Sequence, residues 1–353
     1  MKLLSICDPT RYGSPPLDVP TFYQRLSLDP RVEFYHIPAP QVLTSPTPQI
    51  QVAEASGELS YERFLDLGNQ ADQWMDLSDI DLVFCRTLKP FPQGYLDQLT
   101  HWESLTRFIN RPSSKKGQIQ ADFLVQIAQN YMPEAIATID WTEALAFFER
   151  FQVIVAKRAN SCGGKGVFKI WYDHGAFQTD NVLVGRQSFP TFPDLMAYLQ
   201  SGQTIQVEPE PIQFCRYLHH TQAGDKRVVV VDGEIYGGYL RRSQSGHWVH
   251  NVSNDGECVL AAVTPDEVEA IQRTVGHYQA LGLHTLGYDF LQDDDGVWRI
   301  SEINAGNIGG FARLELLTGQ PVMNRLIDWL IDYAQRPSSQ AMAVEQGMIA
   351  EVA

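Results

Sequence analysis

Gly224-Asp225-Lys226-Arg227-Val228-Val229-Val230-Val231-Asp232-Gly233-Glu234 is the stretch on which the reading of this chain turns. A charged cluster runs into consecutive valines and leaves through Asp-Gly, the pattern of a buried β-strand ended by a tight turn. Side chains alternate across a strand, so Lys226 and Arg227 point to opposite faces and only one of them can look into a cleft. An arginine there can hold a carboxylate or phosphate through two parallel N–H bonds. The alternative is that both charges merely flank the strand.

Further along, Asp289 and the pair Glu302 and Asn304 fall on two expected strands, 285–291 and 298–303, joined by Asp293-Asp294-Asp295-Gly296. Residues two apart share a face of a hairpin, and a residue on the partner strand can meet them. Two carboxylates and an amide carbonyl, with room for water and phosphate oxygens, form the hard-oxygen set that Mg²⁺ takes when it bridges nucleotide phosphates. The same spacing also fits a plainer role, with Glu302 capping a strand and Asn304 opening a turn. The aspartate run 293–295 reads as a solvated turn.

Upstream, strands at 153–157 and 167–172 form an expected antiparallel hairpin around Ser161-Cys162-Gly163-Gly164-Lys165-Gly166. Glycines let backbone N–H groups approach an anion, and Lys157, ending the first strand, can neutralise an α- or β-phosphate. The loop has neither the P-loop nor the dinucleotide-fold glycine spacing. A simple glycine-rich β-turn has the same composition.

Length and composition frame these sites. A chain of 353 residues predicts two or three subdomains, and 44% hydrophobic with 20% charged residues excludes a disordered or fibrous protein. A formal charge of −15 argues against nucleic acid as a partner. The five cysteines (Cys7, Cys85, Cys162, Cys215, Cys258) are scattered, odd in number and without a C-x-x-C pair, which predicts reduced thiols and no zinc. No run approaches the ~18 apolar residues of a membrane span, and the apolar start meets Asp8-Pro9 too early for a signal peptide, so a cytoplasmic protein without a membrane partner is expected.

Strands expected at 2–7, 32–37 and 81–86 alternate with helical stretches and predict a parallel sheet, with the proline-rich 38–48 as a surface connection. Helices are expected at 121–130 and 141–150. An α+β region follows, with strands at 204–207, 227–231, 235–240, 285–291 and 298–303, a helix at 265–281 and a closing helix at 321–334. The organisation read from this is 1–112 as an N-terminal Rossmann-like unit, 113–205 as a central unit carrying the glycine-rich hairpin, 206–335 as a C-terminal unit, and 336–353 as a tail. The fold class is α/β with α+β.

In this order the segments resemble the ATP-grasp superfamily, and within it the bacterial glutathione synthetase and RimK-type ligase branch. Residues 224–234 are similar to its Gly-Asp-Lys-Arg-hydrophobic-Asp-Gly-Glu signature. Gly287-Tyr288-Asp289 and Ser301-Glu302-Ile303-Asn304 are similar to its Gly-Leu-Asp and Thr-Glu-Ile-Asn segments. The likeness extends to Asp8-Pro9, to Arg86 with Lys89-Pro90-Phe91, and to Phe108-Ile109-Asn110-Arg111-Pro112, and so covers residues 1 to about 334. It implies an ATP-grasp fold behind a pre-ATP-grasp domain, and ATP with Mg²⁺ (Mn²⁺ as the alternative) as cofactors. Asp289, Glu302 and Asn304 would hold the metal. Lys157, Ser161, Gly163, Gly164 and Gly166 would sit on phosphate. Residues 213–218, among them Cys215, Tyr217 and Leu218, would hold the adenine, with Asp225 at the ribose. Arg227 would meet phosphate or acyl phosphate, Arg241 would orient the reacting groups with Asn304, and Arg86, Asn251, Gly306 and Asn307 would face substrate. The implied reaction joins a small carboxylate to an amine, an amino acid or short peptide, through an acyl phosphate. The resemblance also allows a homo-oligomer.

The departures bear on substrate. Ala121 stands where the branch carries a nucleotide-binding lysine, with Lys115 or Lys116 in the adjoining loop as candidates to replace it. Val249-His250-Asn251 stands for Arg-Gly-Asn, and Ala305-Gly306-Asn307-Ile308-Gly309-Gly310 replaces a serine–proline turn beside the acceptor amine. His219, His220 and His247 are candidates for proton transfer near the cleft. Two other functions stay open: a ligase that modifies a peptide or protein, and a degenerate ATP-binding regulatory module.

Overall fold

A computed structural model describes residues 1–15, 17–159, 161, 163–201, 210–220, 223–242, 248 and 257–336. The expected strand 204–207, Cys162, His247, Val249, His250, Asn251 and residues 337–353 lie outside the described residues. Among the described residues no helix is long and apolar enough to cross a membrane.

The first sheet has six strands: β1 (Lys2–Cys7), β2 (Glu33–Pro38), β3 (Gln49–Glu54), β4 (Gln73–Asp76), β5 (Leu82–Cys85) and β6 (Phe108–Ile109), in the order β4-β3-β2-β1-β5-β6. Helices α1 (Asp18–Leu26), α2 (Ala39–Val42), α3 (Tyr61–Asp66) and α4 (Tyr95–Trp102) connect them. Val19, Phe22, Tyr23 and Leu26 bury one stripe of α1 at helical spacing. β1 runs parallel to β2 and β5, and β5 to β6, but β3 is antiparallel to both β2 and β4. The sheet is therefore mixed where a parallel one was expected. The return from β2 to β3 is too short for a parallel crossover, which takes about a dozen residues or more. Part of that return is core, since Ala39 and Val42 of α2 are buried.

After α5 (Pro112–Gln118) and α6 (Ala121–Ala128) come β7 (Ala135–Thr138), α7 (Trp141–Phe151), β8 (Ile154–Lys157), β9 (Val167–Asp173), β10 (Ala176–Asn181), β11 (Gly185–Phe189), α8 (Phe192–Ser201) and β12 (Ile212–Arg216). Their strands make an antiparallel sheet in the order β11-β10-β9-β8-β12-β7, with α7 and α8 packed through Phe148, Phe192 and Leu195. The third sheet, β15-β14-β13-β16-β17, is built from β13 (Asp225–Val231), β14 (Glu234–Arg242), β15 (Glu257–Ala261), β16 (Thr285–Gln292) and β17 (Trp298–Asn304). On it lies α9 (Pro265–Ala280), and beyond it α10 (Phe311–Thr318) and α11 (Val322–Gln335). Leu3, Phe22 and Phe34 share one core with Val229, Phe311 and Leu326, so the first unit and the last helices are packed together.

Candidate active site

β13 is central in the third sheet, and its register decides the site. Arg227 pairs with Asp289 on β16, and Asp225 with Arg241 on β14. On the other side of β16, Asp289 is opposite Glu302 and Gly287 opposite Asn304. Directly opposed residues share a face, so the expected metal ligands and both arginines form one row. Arg227 grips Asp289 with Nε and Nη2 at 2.5 and 2.8 Å, and its Nη1 donates to the Gly309 carbonyl at 3.1 Å. Arg241 Nη2 donates to Asp225 at 2.5 Å and to Asp289 at 2.8 Å, and Asn304 Nδ2 donates to Asp289 at 3.1 Å. A Cβ on Gly287 would stand 3.0 Å from Arg227 Nη1, so glycine is what lets the guanidinium lie across β16.

The charges are balanced by contact. Burial pushes Asp289 up, but Arg227 and Arg241 hold it below the ordinary carboxylate range. Asp225 is pushed up to about 6 by burial, against the pull of Arg241. Burial lowers both arginines, yet the carboxylates outweigh it: Asp289 raises Arg227, and Asp225 with Asp289 raises Arg241.

Two cavities open over this row, between the second and third sheets. The first is mostly apolar and is lined by Val155, Val167, Cys215, Tyr217, Leu218, Leu291 and Ile300, together with Asp225, Lys157 and Glu302. Asp225 Oδ1 is buried without a hydrogen-bond partner. The second, more polar, is lined by Ser161, Gly163, Gly164, Lys157, Glu302, Ala121 and Lys89. Gly163 and Gly164 hold positive φ of 64° and 74°, turning the loop so that it can cradle an anion. Gly166 lies under Ser161, whose Oγ a Cβ there would strike at 2.3 Å. Lys157 Nζ is held by the Ser301 carbonyl at 2.7 Å.

These residues fit ATP and a hard divalent cation. Glu302 lines both cavities, and Asn304, donating through Nδ2, keeps its carbonyl oxygen as a ligand. Asp289 accepts four donors in this structure, so it must release one to join a metal.

A third feature lies where β1 and β5 end, the switch point of a doubly wound sheet. Arg86 is 1% exposed, donates from Nη2 to the Ile308 carbonyl at 2.9 Å, and leaves Nε and Nη1 without partners. Asn307 donates to Tyr12 at 2.7 Å, and Tyr12 donates to the Arg86 carbonyl. Asp18, from α1, accepts the N–H groups of Gly310 and Ala312 at 2.8 and 2.9 Å, so the first unit caps α10 and anchors the Ala305–Gly310 segment. A Cβ on Gly306 would meet nothing within 4 Å.

Several expectations are corrected. Asp293 is 3% exposed rather than solvated: Arg216 holds it at 2.8 Å and Arg299 at 3.0 Å. His219 bonds to Asp294 and His220 to the Asp293 carbonyl, and neither lines the two cavities. Lys115 and Lys116 sit on α5, not in a loop; Lys116 pairs with Asp97 and Lys115 lies over the Phe91 ring. Sequence reading missed Trp248 and Ser301 in the first cavity and Lys89 in the second. Ser301 and Lys89 stand within segments that carry the resemblance but were given no site role there, and Trp248 carries no local signal.

Residues 194–319 match the model of the prokaryotic glutathione synthetase ATP-grasp domain. Glutathione synthetase of Prochlorococcus marinus is 21% identical over 338 residues, covering 94% of this chain and 99% of that protein. Among solved structures, D-alanyl-alanine synthetase A from Vibrio cholerae superposes with a TM-score of 0.60 at 12% identity, over 95% of this chain and 98% of that one. The macrocyclase MdnC from Microcystis aeruginosa, bound to its precursor peptide, gives 0.57 at 14% identity, over 94% and 100%. The fold and the site thus define a member of the ATP-grasp superfamily. Within it the similarity is to glutathione synthetases, over an ATP-grasp domain at residues 194–319, and it supports an ADP-forming carboxylate–amine ligase working with ATP and Mg²⁺.

Proposed function

We propose that this ligase activates a small carboxylate as an acyl phosphate and passes the acyl group to an amine held beside a rebuilt acceptor segment, Ala305–Gly310. The observation that carries the reading is Glu302: it walls both the apolar cavity and the glycine-loop cavity and stands opposite Asp289. Cys215, Tyr217, Leu218 and Asp225 hold the nucleoside, while Lys157, Ser161, Gly163, Gly164 and Gly166 hold its phosphates. Glu302, Asn304 and Asp289 hold Mg²⁺, or Mn²⁺, which when bound withdraws charge from the γ-phosphoryl group. Arg86 offers two unpartnered nitrogens to the donor carboxylate. Arg227 and Arg241 meet the charge of the acyl phosphate, with Arg227 tied through Gly309 to the acceptor segment. The units follow as 1–112 for substrate, 113–205 for the cover carrying the glycine-rich hairpin, and 206–335 for metal and nucleotide, with β12 of the last unit hydrogen-bonded within the second sheet.

Open space at Gly306 supports a second reading in which the amine belongs to a peptide. Incubation with ATP, Mg²⁺ and pools of amino acids, γ-glutamylcysteine or short peptides distinguishes these readings. ADP release that depends on acceptor and is accompanied by a new amide mass is expected, and it is lost in Glu302→Ala. Nucleotide binding without turnover on any pool would instead favour a regulatory module.

A further inference from the structure

Asn181, the last residue of β10, is 2% exposed, and a buried carboxamide needs partners for both its donors and its carbonyl oxygen. The oxygen accepts the N–H groups of Leu183 and Val184, at 2.9 and 3.2 Å, in the turn that leads to β11. Those two donors fix which end of the amide is which. Nδ2 therefore faces the glycine-rich loop. It donates to the carbonyls of Val167 at 2.8 Å and Lys165 at 3.0 Å, and lies 3.4 Å from that of Gly164.

Two backbone bonds complete the pattern: the Val167 N–H donates to the Gly164 carbonyl at 3.1 Å and the Arg158 N–H to the Gly166 carbonyl at 2.9 Å. Every carbonyl from Gly164 to Val167 thus takes a donor from the protein. In a planar trans peptide the next N–H points opposite to the carbonyl. Drawing the Gly164 and Lys165 carbonyls towards Asn181 turns the N–H groups of Lys165 and Gly166 away from it. An anion cradle needs that polarity, because it is made of successive N–H groups and a carbonyl oxygen in it would repel phosphate. Glycine permits the turn, with Gly163 and Gly164 at positive φ, but an unrestrained glycine run loses the most entropy when it is ordered.

We propose that Asn181 is a positioning residue of the glycine-rich loop, withdrawing its carbonyls so that its N–H groups are presented to the phosphates of ATP. The assignment rests on the reading of the glycine-loop cavity as the site for those phosphates. It also gives β10 a purpose: the strand lines neither cavity, yet its last side chain sets the geometry of the loop that does.

Two variants of the full chain test this. Asn181→Asp keeps an oxygen for Leu183 and Val184 but replaces the donor with a second acceptor aimed at the loop carbonyls; Asn181→Ala removes both. Without nucleotide, amide hydrogen exchange at Gly163–Val167 should rise about tenfold or more in each, while β8 and β12 stay protected. In calorimetric titration with Mg²⁺, AMPPNP should bind about tenfold or more weakly, as expected when the loop must be ordered on binding, and adenosine should bind as it does to wild type. Loop exchange or AMPPNP affinity equal to wild type in Asn181→Asp would overturn the Asn181 assignment alone. So would an equal loss for adenosine, or loss of protection along β8 and β12, which marks a role in holding the sheet. Failure of wild type to bind AMPPNP would overturn the ATP reading, and this role for Asn181 with it.

Discussion

Asp289 is the residue on which most of the site converges, taking donors from Arg227, Arg241 and Asn304. Its meeting with Glu302 and Asn304 was legible because the three motif positions fall on opposed strands, where alternation leaves few faces to choose from. Asp225 was legible only through the resemblance, yet its environment makes a prediction of its own. Its pKa stands near 6, above the ordinary carboxylate value, so its ionised fraction falls as pH drops through 6. A carboxylate accepts hydrogen bonds from ribose better than a carboxylic acid. Mg²⁺·ATP affinity should therefore decline between pH 7 and pH 5 in wild type, and Asp225→Asn should flatten that part of the profile. A wild-type affinity that is level across this range, or one that rises on acidification, would remove Asp225 from the nucleotide contacts. Trp248 and Asp18 were not legible, because neither stands in a recognisable motif and only the packing of the sheets brings them to this region.

Elements with strong apolar runs were read well, those without them poorly. β13 is buried along its whole length and β16 along most of it, and both stand close to their expected limits. β10 and β11 went unseen because Ala-Phe-Gln-Thr-Asp-Asn and Gly-Arg-Gln-Ser-Phe carry little hydrophobic alternation; their ladder to β9, not their own side chains, makes them strands. α9 is anchored by a device of its own. Thr264 and Glu267 form a capping box, and Glu267, fully buried, also pairs with Lys226 of β13 at 2.8 Å. Lys226 lies over the Trp298 ring as well. The lysine that alternation turns away from the cleft thus ties the sheet to its helix. Lys226→Met leaves a buried carboxylate unpaired and should cost about 3–5 kcal/mol in denaturant unfolding. The double variant Lys226→Met, Glu267→Gln should recover part of this. A single variant within experimental error of wild type would mean that the pair holds nothing together.

At the scale of the molecule, the nucleotide cavities lie between the second and third sheets, while the first unit closes on the third through Asp18, Arg86 and Tyr12. The broad class of each unit was legible, since helices and strands alternate early and antiparallel strands dominate later. The mixed first sheet was not, because the direction of β3 is set by a short connection rather than by its residues. Nor was the placement of β12, whose five residues give no sign of which sheet will take them. On the proposed reading the donor carboxylate meets Arg86, the phosphates lie along Lys157 and the glycine loop, and the acceptor stands beside the segment held by Asp18 and Arg227. Oxygen transfer tests that geometry most directly, with ¹⁸O-carboxyl-labelled amino acids and short peptides turned over with ATP and an amine pool. Activation through an acyl phosphate predicts one ¹⁸O atom in the inorganic phosphate for each amide formed, with ADP as the other product. Label appearing in AMP, or unlabelled phosphate accompanying amide formation, would contradict the account.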